Sequence, residues 1–404
     1  MKKIVKISGQ IGGYIVSLGL PFTHLFGYLG LLISLPAQFQ QRYFKKYISI
    51  LKPILLFIIY VSVLSVFQSN KIMAFKSVLN FIANWLLPMA LGLSLETDAR
   101  KFLKIYIISL TFLILFGFGS ALGVLPSQIF GDKIWSEGML WCFHHHNALA
   151  SVLVIAIPIA AGIGGIFNIS AITLFAGLIL TGSRGYFLTI PLVIIGVIVA
   201  QFHRKKYWKK SVIIFLVIIL IIFFVISFSS RAKERIGSIF NGGWQKDFSA
   251  ESRFGFWQIG LWAFEENPAF GIGPGQLATR EDFIDKLAQS GLKIDAKSGE
   301  IKHLHNFYLT VLAETGIIGL LLFLWIIYAI AKKLWQSDRL GKIFIWGYFA
   351  FLIGNFFDSQ FRGPTGAIEL FFLSGLIIGQ HNFNRTEQEK IPKNKKGTTT
   401  KLSQ

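Results

Sequence analysis

The sequence predicts an all-α polytopic membrane protein with about twelve transmembrane helices, both termini cytoplasmic and one large outer loop carrying short helices. Two observations predict this class. Hydrophobic residues make up 53% of the 404 positions and charged residues only 15%, with a mean hydropathy of +0.58. A soluble protein this apolar could not cover its surface, whereas a polytopic membrane protein needs no such cover. In addition, long apolar runs alternate with basic clusters that fall in every second loop.

A bilayer core asks for about 20 apolar residues per helix. Runs that meet or approach this length are 8–20, 23–37, 48–67, 75–95, 103–124, 145–163, 166–181, 185–202, 211–228, 307–331, 342–358 and 364–380. The first two are short and separated by Pro21, which suggests tilted or partly re-entrant segments. Inside loops then hold Arg42–Lys46, Arg100–Lys104, Arg204–Lys210, Lys332–Lys342 and the tail after Gln380. Outside loops carry singletons such as Lys71, Lys133 and Arg184. An eleven-span arrangement would invert half the loops and break this bias.

The layout divides the chain into an N-terminal transmembrane region (1–228, about nine spans), an outer loop (229–306), a C-terminal region of three spans (307–380) and a basic tail (381–404), the tail being expected to be disordered. Met1-Lys2-Lys3 imitates a signal-peptide start. No Ala-x-Ala-like site follows it, so a retained first helix is expected.

Charge and cysteine content exclude other classes. Forty Lys and Arg against 20 acidic residues give +20. The cations lie in short clusters between apolar runs, a pattern that sets topology and contacts lipid headgroups rather than nucleic acid. The single cysteine, Cys142, excludes an intramolecular disulfide and a thiolate metal cluster.

Polar residues that could carry chemistry gather on the outer side. Thr181-Gly182-Ser183-Arg184-Gly185 joins two spans; Ser183 suits an N-cap, and Arg184 beside free helix amides makes an anion site. The competing reading is an arginine snorkelling to lipid phosphate. The same grammar recurs at Ser252-Arg253. There Phe254, Trp257, Leu261 and Phe264 predict an amphipathic interfacial helix over Arg253–Glu266, ended by Asn267-Pro268 and the turn Gly271-Ile272-Gly273-Pro274-Gly275. Ser252-Arg253 has its own bland alternative, an arginine pairing with Glu251 or Asp247 in solvent.

His303-Leu304-His305 and His144-His145-His146-Asn147 invite a zinc reading, but neither has a well-spaced carboxylate or His partner, so no metal is assigned. His305 at a helix start would stay neutral and able to accept a proton. Glu314 falls inside a span, where a carboxylate is costly and should face the interior with a partner.

Three of these blocks carry a resemblance. His305-Asn306, followed after residues 307–315 by Gly316-Ile317-Ile318-Gly319, resembles the signature of the bacterial O-antigen ligase and O-antigen polymerase superfamily. Asp247, Ser252-Arg253, Trp257 and Asn267 through Gly275 look like its loop pattern of Arg, Trp, Asn-Pro and Gly-rich turn. With Arg184, the blocks stand in the right order over roughly residues 140–330, and Asn147 resembles a further family position.

The resemblance implies a metal-independent, inverting glycosyltransferase in the bacterial cytoplasmic membrane with its active site on the periplasmic side. It would move a glycan from undecaprenyl diphosphate to a hydroxyl acceptor and use no cofactor. His305, Arg184 and Arg253 take the catalytic roles. Ser183, Ser252, His303, Asn306 and Asn147 take substrate-binding ones. One dominant outer loop and modest length favour an O-antigen ligase, with lipid A-core as acceptor. The alternatives are a polymerase acting on a growing glycan and a protein O-oligosaccharyltransferase, the latter disfavoured by the lack of a large C-terminal outer domain. A lipid-glycan flippase would call for charges lining several spans and two repeated halves, and neither is visible.

Overall fold

A computed structural model describes residues 2–202, 248–290, 301 and 303–390. The expected span at 211–228, the Arg204–Lys210 cluster, Asp247 and the tail after Lys390 lie outside the described residues. Helices stand at the positions of the other expected spans: α1 (Lys2–Gly19), α2 (His24–Ile33), α3 (Leu35–Gln38), α4 (Gln41–Val66), α5 (Lys71–Phe81), α6 (Leu87–Ser94), α7 (Ala99–Ala121), α8 (His146–Ile163), α9 (Phe167–Leu180), α10 (Arg184–Phe187) and α11 (Ile190–Phe202). After them come α12 (Phe248–Glu266), α13 (Glu281–Gln289), α14 (Phe307–Gln336), α15 (Arg339–Gly354) and α16 (Pro364–Lys390). Four two-residue strands form two small hairpins between α7 and α8, β1 (Gln128–Ile129) with β2 (Asp132–Lys133) and β3 (Trp135–Ser136) with β4 (Met139–Leu140).

Five stretches among the described residues are long and apolar enough to cross a membrane: Lys45–Val66, Lys71–Ser94, Ala99–Ala121, His146–Ile163 and Phe307–Gln336. Others are shorter than expected because they are broken. The 23–37 run splits at Ser34 into α2 and α3, and the 185–202 run splits at Leu188–Thr189 into α10 and α11. The last helix departs in the other direction. It continues through Lys390 rather than stopping near 380, because residues 381–390 include no Gly or Pro to break it.

Between α5 and α6 a π turn, Ile82–Leu86, carries Trp85 into the centre of the bundle. Its ring is fully buried and stacks on Phe57 and Phe371, at centroid distances of 5.3 and 5.4 Å. Trp85 Nε1 donates to Phe361 O at 2.9 Å, so the indole is both packed and hydrogen-bonded. Phe307, at the start of α14, and Phe361 lie against the same ring. This aromatic hub fixes where α14 begins relative to the α15–α16 loop.

The far end of the bundle is sewn by cations. Lys46 Nζ meets Glu96 Oε2 at 2.7 Å, joining α4 to the end of α6, and the Arg339 guanidinium donates to the carbonyl of Ala200, joining α15 to α11. Residues of the near end form the candidate site.

The apolar stripe expected on Arg253–Glu266 is only half of that helix. Phe254 and Leu261 are exposed, while Phe256, Ile259 and Ala263 pack beneath with Leu277, Phe283, Leu287, Ile301 and Leu304. The helix is already formed at Phe248, five residues before the expected start, so Ser252 lies inside it, buried, and is not a cap.

Candidate active site

Helix α14 is interrupted inside its apolar run. Gly316 has φ +64°, ψ −170°, and the helix resumes after it. The Asn267–Gly275 turn fills the break. Ile272 N donates to Ala313 O at 2.9 Å and Gly273 N to Glu314 O at 3.0 Å, while Pro268 O accepts from Ile317 N at 2.9 Å. Tyr60 Oη donates to Thr315 O at 2.8 Å. Every one of these contacts answers a backbone group that the break would leave bare. The approach is so close that a Cβ on Gly316 would lie 2.2 Å from Ala269 O, and one on Gly271 would lie 2.5 Å from Thr315 N. The two glycine motifs recognised in the sequence are thus two halves of one joint.

Glu314, in the turn before the break, has the partner its position demanded. Arg362 Nη1 donates to Glu314 Oε1 at 2.9 Å, from the loop between α15 and α16. Neither Arg362 nor this loop was singled out in the sequence. The loop also holds the start of α14, since Phe307 N donates to Asn355 O and Asp358 O at 2.9 and 3.1 Å.

Around this joint the structure gathers the expected residues. Asn306 is the N-cap of α14 and its Oδ1 accepts from Leu309 N at 3.0 Å, so at least its oxygen works structurally. His305 precedes it with φ +49°, a left-handed conformation uncommon for a side chain of this size. Its Nδ1 is buried with no hydrogen-bond partner. The ring lies 5.5 Å from Phe256 of α12 and 4.3 Å from His303. Burial above all, then the fields of His303, Arg253 and His145, push its pKa down to about 3. Neutrality was expected from the helix dipole; desolvation is the larger cause.

Arg253 of α12 and His145, just before α8, therefore both act on His305. His145 also feels Asp358 of the α15–α16 loop, although burial lowers its pKa overall. A cavity of about 240 Å³ opens beside it, lined by Asp132, Lys133, Trp141 and His144 among others. His144 itself is a tether: its Nε2 lies 2.8 Å from Pro21 O and its Nδ1 3.5 Å from Thr365 Oγ1, and burial drops its pKa to about 4. The histidine run before α8 thus contains a buried structural member.

Ser183 does not cap α10. Its hydroxyl donates to Asn147 Oδ1 at 2.7 Å, joining the two residues expected to bind substrate. Since α10 is a single turn, the helix-dipole argument for an anion at Arg184 loses its force. What remains is a half-buried guanidinium. Next to it, a Cβ on Gly185 would lie 2.9 Å from Phe357 Cβ, and Phe357 faces Trp257 of α12 at 6.5 Å between ring centroids. The elements bearing Arg184 and Arg253 are thereby connected through Phe357.

On the other side of the joint, a cavity of about 850 Å³ lies between the end of α4 and the Asn267–Arg280 segment, edged by Phe67, Phe270, Gln68 and Gln276 among others. No group of three His, Cys, Asp or Glu among the described residues has metal-holding geometry.

The fold and its long apolar helices define a helical membrane protein. A family model described as O-Antigen ligase matches residues 169–324, a span containing Arg184, Arg253, His305 and both glycine motifs but neither Asn147 nor Arg362. Over that span the chain resembles the O-antigen ligase and polymerase superfamily, a group of glycosyltransferase-type membrane enzymes. No curated protein matches the chain.

Proposed function

We propose that the protein transfers a glycan from undecaprenyl diphosphate to a hydroxyl acceptor at the outer face of the cytoplasmic membrane. The observation that carries this is a neutral His305 with a buried Nδ1 in the field of the cationic Arg253, in a segment matching O-Antigen ligase. The neutral imidazole takes the acceptor O–H proton as that oxygen attacks the anomeric carbon. The bond from that carbon to the phosphate oxygen breaks on the opposite face, and the electron pair leaves with the diphosphate. Arg184 and Arg253 stabilise the charge that develops there, without a metal ion.

Inversion at the anomeric carbon follows from this single displacement. Asn147 and Ser183 form a polar edge suited to sugar hydroxyls, with His303 next to the base. The prenyl tail would lie among the apolar helices and the glycan in the outer cavities.

Of the two acceptors, lipid A-core is preferred, because one outer loop dominates the sequence; a growing glycan is the alternative. Deleting the gene and examining surface polysaccharide tests both. Loss of polymer from the lipid anchor with carrier-linked polymer accumulating supports a ligase, and anchors capped by a single repeat support a polymerase. An unchanged surface polysaccharide would overturn the transferase reading.

A further inference from the structure

Trp257 stands one helical turn beyond Arg253, so both side chains lie on the same face of α12. Its ring faces Phe357, whose Cβ lies against Gly185, the residue following Arg184. The indole therefore occupies the seam between the two arginine-bearing elements. Its Nε1 is buried yet has no hydrogen-bond partner. A buried N–H left unsatisfied costs about 1–3 kcal/mol, so native proteins keep one mainly where something else completes it. Indole N–H is a donor only. The missing group is therefore an acceptor, and with Arg253 one turn back on the same helix and Arg184 next to the Gly185 that meets Phe357, the favoured acceptor is an anionic oxygen. His305 Nδ1, whose ring packs on Phe256 of the same helix, is a second buried atom without a partner, as expected where a substrate completes the polar network.

The geometry points to Trp257 as a third contact for the diphosphate of the lipid carrier, its indole N–H donating to a phosphate oxygen between Arg184 and Arg253. The donor carries no charge and cannot titrate. It adds direction to a site in which the arginines supply the field, and selects an oxygen placed in the plane of the ring. The inference rests on the transferase reading and deepens it by adding a residue that contacts the leaving group.

The test uses purified full-length protein in detergent, with a short-chain polyprenyl diphosphate as probe and the matching polyprenyl alcohol as control. Trp257→Phe keeps an aromatic ring and removes the donor; it should bind the diphosphate roughly ten- to a hundredfold more weakly and the alcohol unchanged. Trp257→His restores a ring N–H and should recover part of the loss. A sugar contact instead of a phosphate contact would leave diphosphate affinity intact and weaken binding of a free oligosaccharide, which overturns the assignment. Equal diphosphate affinity in all three proteins also overturns it. If the parent itself does not bind the diphosphate, the transferase reading falls first. If Trp257→Phe is absent from the membrane, Trp257→Leu, which also lacks the donor, takes its place with the same expected binding ratio.

Discussion

Glu314 and Arg362 are joined by a 2.9 Å ion pair that ties the broken turn of α14 to the loop between α15 and α16. The carboxylate is buried and the guanidinium only a quarter exposed. Removing one partner leaves the other desolvated, a cost of about 3–5 kcal/mol for a fully buried pair and about 2 kcal/mol here after solvent screening. Glu314→Ala should lower the thermal midpoint in detergent clearly, and Glu314→Ala with Arg362→Ala should recover part of the loss. Additive losses in the double variant would show that the two groups do not interact.

Gly316→Ala tests the joint itself. At φ +64° an alanine costs about 2 kcal/mol in backbone strain, and its methyl group would be driven into Ala269 O. The turn must withdraw from α14. Transfer activity should fall at least tenfold, and limited proteolysis should cut the Asn267–Arg280 segment faster than in the parent. Parent-like proteolysis and activity would refute the joint.

Arg184→Lys and Arg253→Lys separate phosphate contacts from lipid anchors. An ammonium keeps the charge but loses the bidentate fork. Loss of one charge-assisted donor is worth on the order of 3 kcal/mol in the transition state, about a hundredfold in kcat. Lysine and alanine variants that transfer at full rate would identify both arginines as interface anchors.

His305→Ala should remove roughly a hundred- to ten-thousandfold of the rate while leaving the protein in the membrane. His303→Ala should lose less, and chelators should affect neither the variants nor the parent. Activity lost to EDTA and retained by His305→Ala would turn the histidines into metal ligands.

Acidity should act on stability through the same imidazoles. Folded-state pKa values pushed down to about 3 for His305 and about 4 for His144 lie below the unfolded value near 6.5. Between these limits the unfolded chain binds more protons than the folded one. Stability is therefore intact above about pH 6.5 and declines as the pH falls toward 4 and then 3. His144→Asn should flatten part of that decline in a series of thermal melts from pH 7 to pH 4. A decline as steep as the parent's would assign the dependence to other groups.

Much of the helical layout was legible because about 20 apolar residues in a row leave few alternatives. The breaks were not. Gly316-Ile317-Ile318-Gly319 looks like ordinary small-residue helix packing, and only the docked turn reveals a gap. Ser183 and Asn147 were each recognisable as polar residues at helix ends, but their bond spans 36 positions. Arg362 was hidden as a lone loop cation, distinguished from others only by the carboxylate it meets. Ser252 was misplaced because Phe248-Ser249-Ala250-Glu251 contains no breaker and the helix extends back through it.

The filled gap in α14 also determines which segment can move. Lifting the Asn267–Gly275 turn away would leave several amides and carbonyls within the apolar run of α14 without partners, each at a cost of about 1–3 kcal/mol. That segment is consequently a fixed jamb and not a door. On the proposed transferase reading, a lipid-linked substrate would therefore enter between helices whose own backbone bonding is already complete.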